Sequence, residues 1–174
     1  LGTWNEGVHV YRNESRSEPR FVRDSTATIR FERGSNYTPT LVDIDGDGDL
    51  DVFVGEASGE LNFVRNTGTR TAPAFKVESE AFQNVDAGRR SHPAFADFDG
   101  DGDADLITAS ESGGVNYYRN DGSGGEPRFV QAPPLPLPLP PLASPIFIDL
   151  DGDRAPELVT GSLSGGLTYW RRQK

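Results

Sequence analysis

Apolar residues fall in short alternating bursts separated by turns rich in glycine, proline and asparagine, a pattern that predicts many short strands rather than a helical bundle. The bursts recur in a fixed order. A proline and an alternating stretch come first, as Pro39-Thr40-Leu41-Val42, Pro93-Ala94-Phe95-Ala96 and Pro145-Ile146-Phe147-Ile148. Each runs into an acidic window, and a second apolar burst follows at 50–54, 106–108 and 158–160. After a turn of small residues comes a third, with an aromatic or basic end: Leu61-Asn62-Phe63-Val64-Arg65-Asn66, Val115-Asn116-Tyr117-Tyr118-Arg119-Asn120 and Leu167-Thr168-Tyr169-Trp170-Arg171-Arg172. Val8-His9-Val10-Tyr11-Arg12-Asn13 is a further copy of this third burst. Pro-x-Phe then opens a fourth at Pro19, Pro73 and Pro127.

The acidic windows begin at Asp43, Asp97 and Asp149, offsets of 54 and 52 residues. Four short strands per unit of about 50 residues is the period of a β-propeller blade, so the sequence predicts an all-β fold, a propeller segment of about three four-stranded blades. The expected divisions are a partial blade at 1–36 (third and fourth strands), blades at 37–90 and 91–142, and a partial blade at 143–174. The segment 2–7 aligns with 161–166, which starts the chain between a second and a third strand. Propellers need about four blades to close. The expectation is therefore a piece of a larger propeller, or a ring completed by another propeller chain. Leu1 at the start and the lack of methionine point to a processed or trimmed product.

Charge sharpens the picture. The 174 residues carry a net charge of −10, and the windows 43–51, 97–105 and 149–157 hold 14 of the 27 acids. The remaining 13 acids face 16 basic residues once Arg154 is set aside, so three dense anionic points sit on a near-neutral body. This is unlike an acidic disordered tail and lacks the basic stripe of a nucleic-acid binder. No apolar run is long enough for a transmembrane helix, and the absence of cysteine removes disulfides, zinc ribbons and thiol nucleophiles.

Within Asp43-Ile44-Asp45-Gly46-Asp47-Gly48-Asp49-Leu50-Asp51, carboxylates at positions 1, 3, 5 and 9 can converge on one cation, and the glycines allow tight folding. The carbonyl at position 7 (Asp49, Asp103, Ala155) can complete the shell. An all-oxygen set without histidine or cysteine suits Ca²⁺, with Mg²⁺ the runner-up because of its stricter octahedron. An EF-hand would need glutamate at position 12, where Val54, Thr108 and Thr160 stand.

These repeats resemble the integrin-α-like FG-GAP family and the related VCBS-type repeats, whose signature is Asp-x-Asp-x-Asp-Gly-x-x-Asp between the first two strands of a blade. The resemblance implies calcium held by Asp43, Asp45, Asp47, Asp49 (carbonyl) and Asp51, and by Asp97, Asp99, Asp101, Asp103 (carbonyl) and Asp105. The third loop departs from the pattern: Arg154 replaces a glycine and Glu157 the closing aspartate. Asp149, Asp151, Asp153, Ala155 (carbonyl) and Glu157 are expected to bind more weakly, making about three ions per chain. The expected role is a non-catalytic, calcium-stabilised scaffold for extracellular interaction or adhesion, secreted or at the cell surface, an organellar lumen being the other setting. A lectin propeller, or the accessory propeller of a secreted polysaccharide-active enzyme, are the alternatives. A protein or glycan ligand is compatible with this reading; nucleic acid and membrane insertion are not expected.

Other features fit the same frame. The alternating prolines of 132–141 suit an outermost strand, whose unpaired side tolerates their missing N–H groups, or a docking segment. His9 falls in a third strand and His92 in a linker, and neither accompanies a repeated serine, so a Ser-His-Asp triad has no support. Arg65-Asn66 and Arg119-Asn120 read as strand ends at which asparagine tolerates left-handed geometry. Consecutive aromatics such as Tyr117-Tyr118 place one ring on each face of a blade.

Overall fold

The computed structural model describes residues 1–123, 125–153 and 156–171. Within them lie strands β1 (Val8–Asn13), β2 (Phe21–Ile29), β3 (Thr38–Val42), β4 (Asp51–Gly55), β5 (Leu61–Asn66), β6 (Phe75–Ser79) and β7 (His92–Ala96). They continue as β8 (Asp105–Ala109), β9 (Val115–Asn120), β10 (Phe129–Ala132), β11 (Ser144–Ile148), β12 (Glu157–Gly161) and β13 (Leu167–Trp170). Among the described residues there is no α-helix, only a 3-10 turn at Phe82–Asn84.

The strands form four antiparallel sheets in chain order: β1-β2, β3-β4-β5-β6, β7-β8-β9-β10 and β11-β12-β13. Register follows the repeat closely. Gly55 faces Leu61, Ala109 faces Val115 and Gly161 faces Leu167. The bridge between Gly2 and Val8 is the same pairing, so Leu1-Gly2 is a remnant of a second strand beside β1. His92 opens β7 rather than lying in a linker.

Burial explains the composition of the strands. β4 and β8 are buried at every position because sheets pack on both of their faces, which is why they read as apolar runs without alternation. β6, at the outside, alternates. The core is divided among the gaps between sheets. Phe53, Leu61 and Phe63 of one sheet meet Leu106, Tyr118 and Phe129 of the next. Ile107, Val115 and Tyr117 on the opposite face of that second sheet meet Leu158 beyond it. Tyr117 and Tyr118 thus point into different gaps, as the sequence predicts. Val8 and Ile29 cover Val52, Val54 and Val64 in the third cluster.

The first strands β3, β7 and β11 form sheet edges, which accommodates Pro39, Pro93 and Pro145. They line a shared cleft of about 480 Å³, and Thr40 donates its hydroxyl to the Pro93 carbonyl across it (2.7 Å). This succession of face-packed antiparallel sheets is compatible with β-propeller-like repeats.

The proline run lies beyond the fourth strand, not in it. β10 ends at Ala132, and Leu135, Leu137 and Leu139 pack into the gap between the last two sheets. Gly114 N–H bonds to the Leu139 carbonyl, anchoring the run to the preceding sheet (2.9 Å). The physical reason is apolar demand: the leucines between the prolines fill the space that Phe82, Val85 and Ala87 fill one repeat earlier. A second repeated feature carries a sequence mark in only one of its three copies, Asn36. Asn36, Arg90 and Leu142, just ahead of each first strand, have φ of 56°, 50° and 56°. Left-handed geometry at arginine and leucine costs about 1–2 kcal/mol each.

Candidate metal centres

Each acidic window forms the turn between the first and second strand of a sheet. In each, one carboxylate oxygen from positions 1, 3 and 5 lies within 4.8 Å of the others: Asp43, Asp45 and Asp47; Asp97, Asp99 and Asp101; Asp149, Asp151 and Asp153. Two oxygens bound to one calcium ion, each about 2.3–2.6 Å from it, can stand no more than about 5 Å apart, so these clusters match a common ion in size. Their oxygen-only donor sets fit a hard cation.

The local backbone explains the convergence. Gly46 and Gly48 have φ of 73° and 90°, and Gly100 and Gly102 of 86° and 98°. A Cβ at any of the four would meet no atom within 4 Å, so conformation rather than space requires glycine there. The turned backbone aims its N–H groups at the acids. Gly48 N–H donates to Asp43 (3.1 Å) and Gly102 N–H to Asp97 (3.1 Å). Asp49 N–H donates to Asp47 and Asp103 N–H to Asp101, both at 2.9 Å. In the third window Gly152 N–H donates to Asp149 (2.7 Å). Ala155 and Arg154, central to the expected weakness of that site, lie outside the described residues.

The closing acids occupy a different place. Asp51, Asp105 and Glu157 are not in the clusters of three; they are buried as the first residues of β4, β8 and β12. Asp51 accepts the Asn66 N–H (2.6 Å) and Asp105 the Asn120 N–H (2.7 Å), tying loop to third strand. Asp105 also takes the Phe98 N–H (3.2 Å) and the Tyr117 hydroxyl (2.9 Å), while Glu157 takes the Leu150 N–H (3.0 Å). Burial pushes the Asp51 carboxyl up to about 6, with the Asn66 N–H pulling the other way. Asp105 is raised by the same cause.

Two partners of the loops escape a reading by motif. Arg65 reaches from β5 to Asp45 (2.6 Å) and Arg171 contacts Asp151, each pair 20 residues apart. The equivalent Arg119 turns to Asp121 instead. The constant offset of arginine from the position-3 aspartate was the available signal. The asparagines at the strand ends are also not left-handed. Asn66 accepts N–H groups from Gly68 and Ala74 (3.1 and 2.9 Å), and Asn120 from Gly122 and Arg128 (3.1 and 2.9 Å). Their side-chain oxygens satisfy the turn backbone, which a merely tolerant residue would leave unpaired.

Away from the loops, Ser144 and His92 meet in the shared cleft, Oγ to Nδ1 at 3.0 Å. A nucleophilic triad uses the other ring nitrogen toward serine and Nδ1 toward an acid. Among the described residues no carboxylate is hydrogen-bonded to His92, so this pair does not make that arrangement.

A family model described as an FG-GAP-like repeat matches residues 43–108 and again 97–160. Each match begins at the first aspartate of one acidic window and ends within the second strand of the next sheet. No curated protein and no solved structure gives a significant match.

Proposed function

The chain belongs to the FG-GAP-like repeat family, and on that footing we propose that it is a calcium-binding, non-catalytic β-propeller scaffold for interaction or adhesion outside the cell. The observation that carries this reading is the threefold convergence of carboxylates at positions 1, 3 and 5, repeated at the same place in three successive sheets. Periodic recurrence suits a structural role, since catalytic acid pairs are single and asymmetric.

In this reading Asp43, Asp45, Asp47, the Asp49 carbonyl and Asp51 hold the first ion, and Asp97, Asp99, Asp101, the Asp103 carbonyl and Asp105 the second. Asp149, Asp151, Asp153, the Ala155 carbonyl and Glu157 form a weaker third site. A bound calcium supplies two positive charges that offset the mutual repulsion of the carboxylates. The chain's own groups do the rest: backbone N–H groups and the glycine turns orient positions 1 and 5, and the closing acids fasten each loop to the third strand. An ion present at a hundred times its dissociation constant adds about 2.7 kcal/mol to stability.

The setting outside the cell rests on family habit and on calcium supply. FG-GAP repeats are typical of extracellular proteins, and short calcium loops suit millimolar external calcium. Among the described residues no helix is long and apolar enough to cross a membrane. The partner class is a protein or glycan ligand.

The test is thermal melting of Asp45→Ala with calcium and with chelator. The variant melts below the parent in calcium and falls little further on chelation, whereas the parent falls markedly. Equal chelation losses in both proteins would remove the structural role of that ion.

A further inference from the structure

Arg65 and Arg119 occupy the same place in the repeat, yet they meet different partners. Arg119 has Asp121 two residues on and folds back onto it, whereas Arg65 has Thr67 there and reaches outward. Its guanidinium, stacked over Phe63, meets three carboxylates from three parts of the fold. Nε donates to Glu78 of β6 (2.7 Å) and Nη1 to Asp45 of the acidic loop (2.6 Å). Nη2 lies 3.6 Å from Glu126, which stands ahead of β10 in the next sheet. The Arg65 side chain is only 20% exposed, so its charge is confined to this fork.

The segment that carries Glu126 is seated on the same loop. Gly125 has φ of 82°, and a Cβ there would stand 3.1 Å from the Asp45 carbonyl oxygen, so glycine lets the two backbones approach. Just beyond Glu126 in the chain, Gln83 donates to the Pro127 carbonyl (2.6 Å) and accepts the Phe129 N–H (2.8 Å). Between the loop and this segment lies a cavity of about 140 Å³, lined by Asp43, Asp45, Asn120 and Glu126 among others. The 43–51 loop and the segment ahead of β10 thus form one polar junction between sheets, with Arg65 spanning it.

Building on the reading of the 43–51 loop as an ion site, we propose that Glu126 is a positioning residue for that site and acts through Arg65. Ion binding in the loop and seating of the segment ahead of β10 then favour each other. A dication among Asp43, Asp45 and Asp47 repels the guanidinium on Asp45. With Nε held by Glu78, the fork gives up Asp45 and strengthens its contact with Glu126. The displaced charge keeps two carboxylates, and the next sheet gains a firmer tether to the loop. Linkage makes the effect mutual: what steadies Arg65 on Glu126 raises ion affinity by the factor with which the ion steadies that contact. Arg119, drawn onto Asp121 two residues away, makes no such bridge among the described residues.

Calcium titration followed by NMR tests it, the Gly48 amide, which donates to Asp43, reporting the first loop. Glu126 is 79% exposed, so its replacement leaves folding intact. Glu126→Gln lowers the affinity read at Gly48 about two- to threefold, the size of an exposed ion pair. In the Arg65→Gln background the same substitution changes nothing, which is the coupling a double-mutant cycle isolates. Solvent exchange of the Glu126 N–H, bonded to the Ser123 carbonyl (3.3 Å), is a second readout. Calcium slows it in the parent and leaves it unchanged in Arg65→Gln. Were Glu126 to act only by its own charge, its loss would lower affinity equally with and without Arg65, and that outcome overturns the linkage. An affinity indifferent to Glu126→Gln, or exchange in the parent indifferent to calcium, overturns it too. A parent whose Gly48 amide does not respond to calcium would remove the ion site itself, and the linkage with it.

Discussion

The loops at 43–51 and 97–105 share one acidic pattern but are supported differently. Beneath the first, Asp51 accepts one donor among the described residues, the Asn66 N–H, and Phe63 occupies the strand position that faces Phe53. Beneath the second, the same position holds Tyr117, whose hydroxyl reaches Asp105 and joins two backbone N–H groups there. Above the first, Arg65 parks its guanidinium on Asp45, stacked over the Phe63 ring; above the second, Arg119 is drawn off to Asp121. The difference teaches that the cluster of three carboxylates is made by the glycine turns and backbone N–H groups, which the two loops share. The closing acid and the arginine set how firmly each loop is held and how much positive charge already sits there.

Replacing the closing acids gives the largest expected effect. Asp105→Ala strands three donors in a buried setting, whereas Asp51→Ala strands one. At about 1–3 kcal/mol per unsatisfied buried group, the second loses about 1–3 kcal/mol and the first up to about three times as much. Urea unfolding in chelator measures both. Equal losses would break the comparison and make the Tyr117 hydroxyl incidental.

Next comes pH. The folded Asp51 carboxyl, raised to about 6 by burial, binds its proton more tightly than the unfolded chain does near 4. Folding of the ion-free protein therefore weakens as pH rises from about 4 through about 6, and the penalty is complete above that. Melting in chelator at pH 5 and pH 7 should show the protein more stable at the lower value, and Asp51→Asn should flatten the profile. A profile unaffected by that substitution would contradict the assignment.

Arginine substitutions sharpen the contrast with the smallest effect. Arg65→Gln removes a cation in direct, partly buried contact with Asp45 and should raise calcium affinity of the first loop by about two- to fivefold, the size of an ion pair of about 1 kcal/mol. Arg119→Gln should change the second loop less. Calorimetric titration of each variant decides, and a larger gain from Arg119→Gln would reverse the account.

Much of this was legible in the sequence because it is periodic. Pro-led first strands, the 54- and 52-residue offsets and the aromatic third strands specify the order of strands, and Asp-x-Asp-x-Asp specifies which acids meet. What stayed hidden depends on contacts across the fold. Arg65 finds Asp45 only once β4 and β5 are paired. The proline run reads as an edge strand until one sees that Leu135, Leu137 and Leu139 are needed to fill a gap. The left-handed residues Arg90 and Leu142 carry no glycine or asparagine to announce them.

Native mass spectrometry of the intact chain, in calcium and after chelation, tests the central claim most directly. The account predicts three calcium ions per chain, one lost more readily than the other two, and none bound when Asp43, Asp97 and Asp149 are all replaced by alanine. A chain that retains no calcium, or a triple variant that retains as much as the parent, would contradict it.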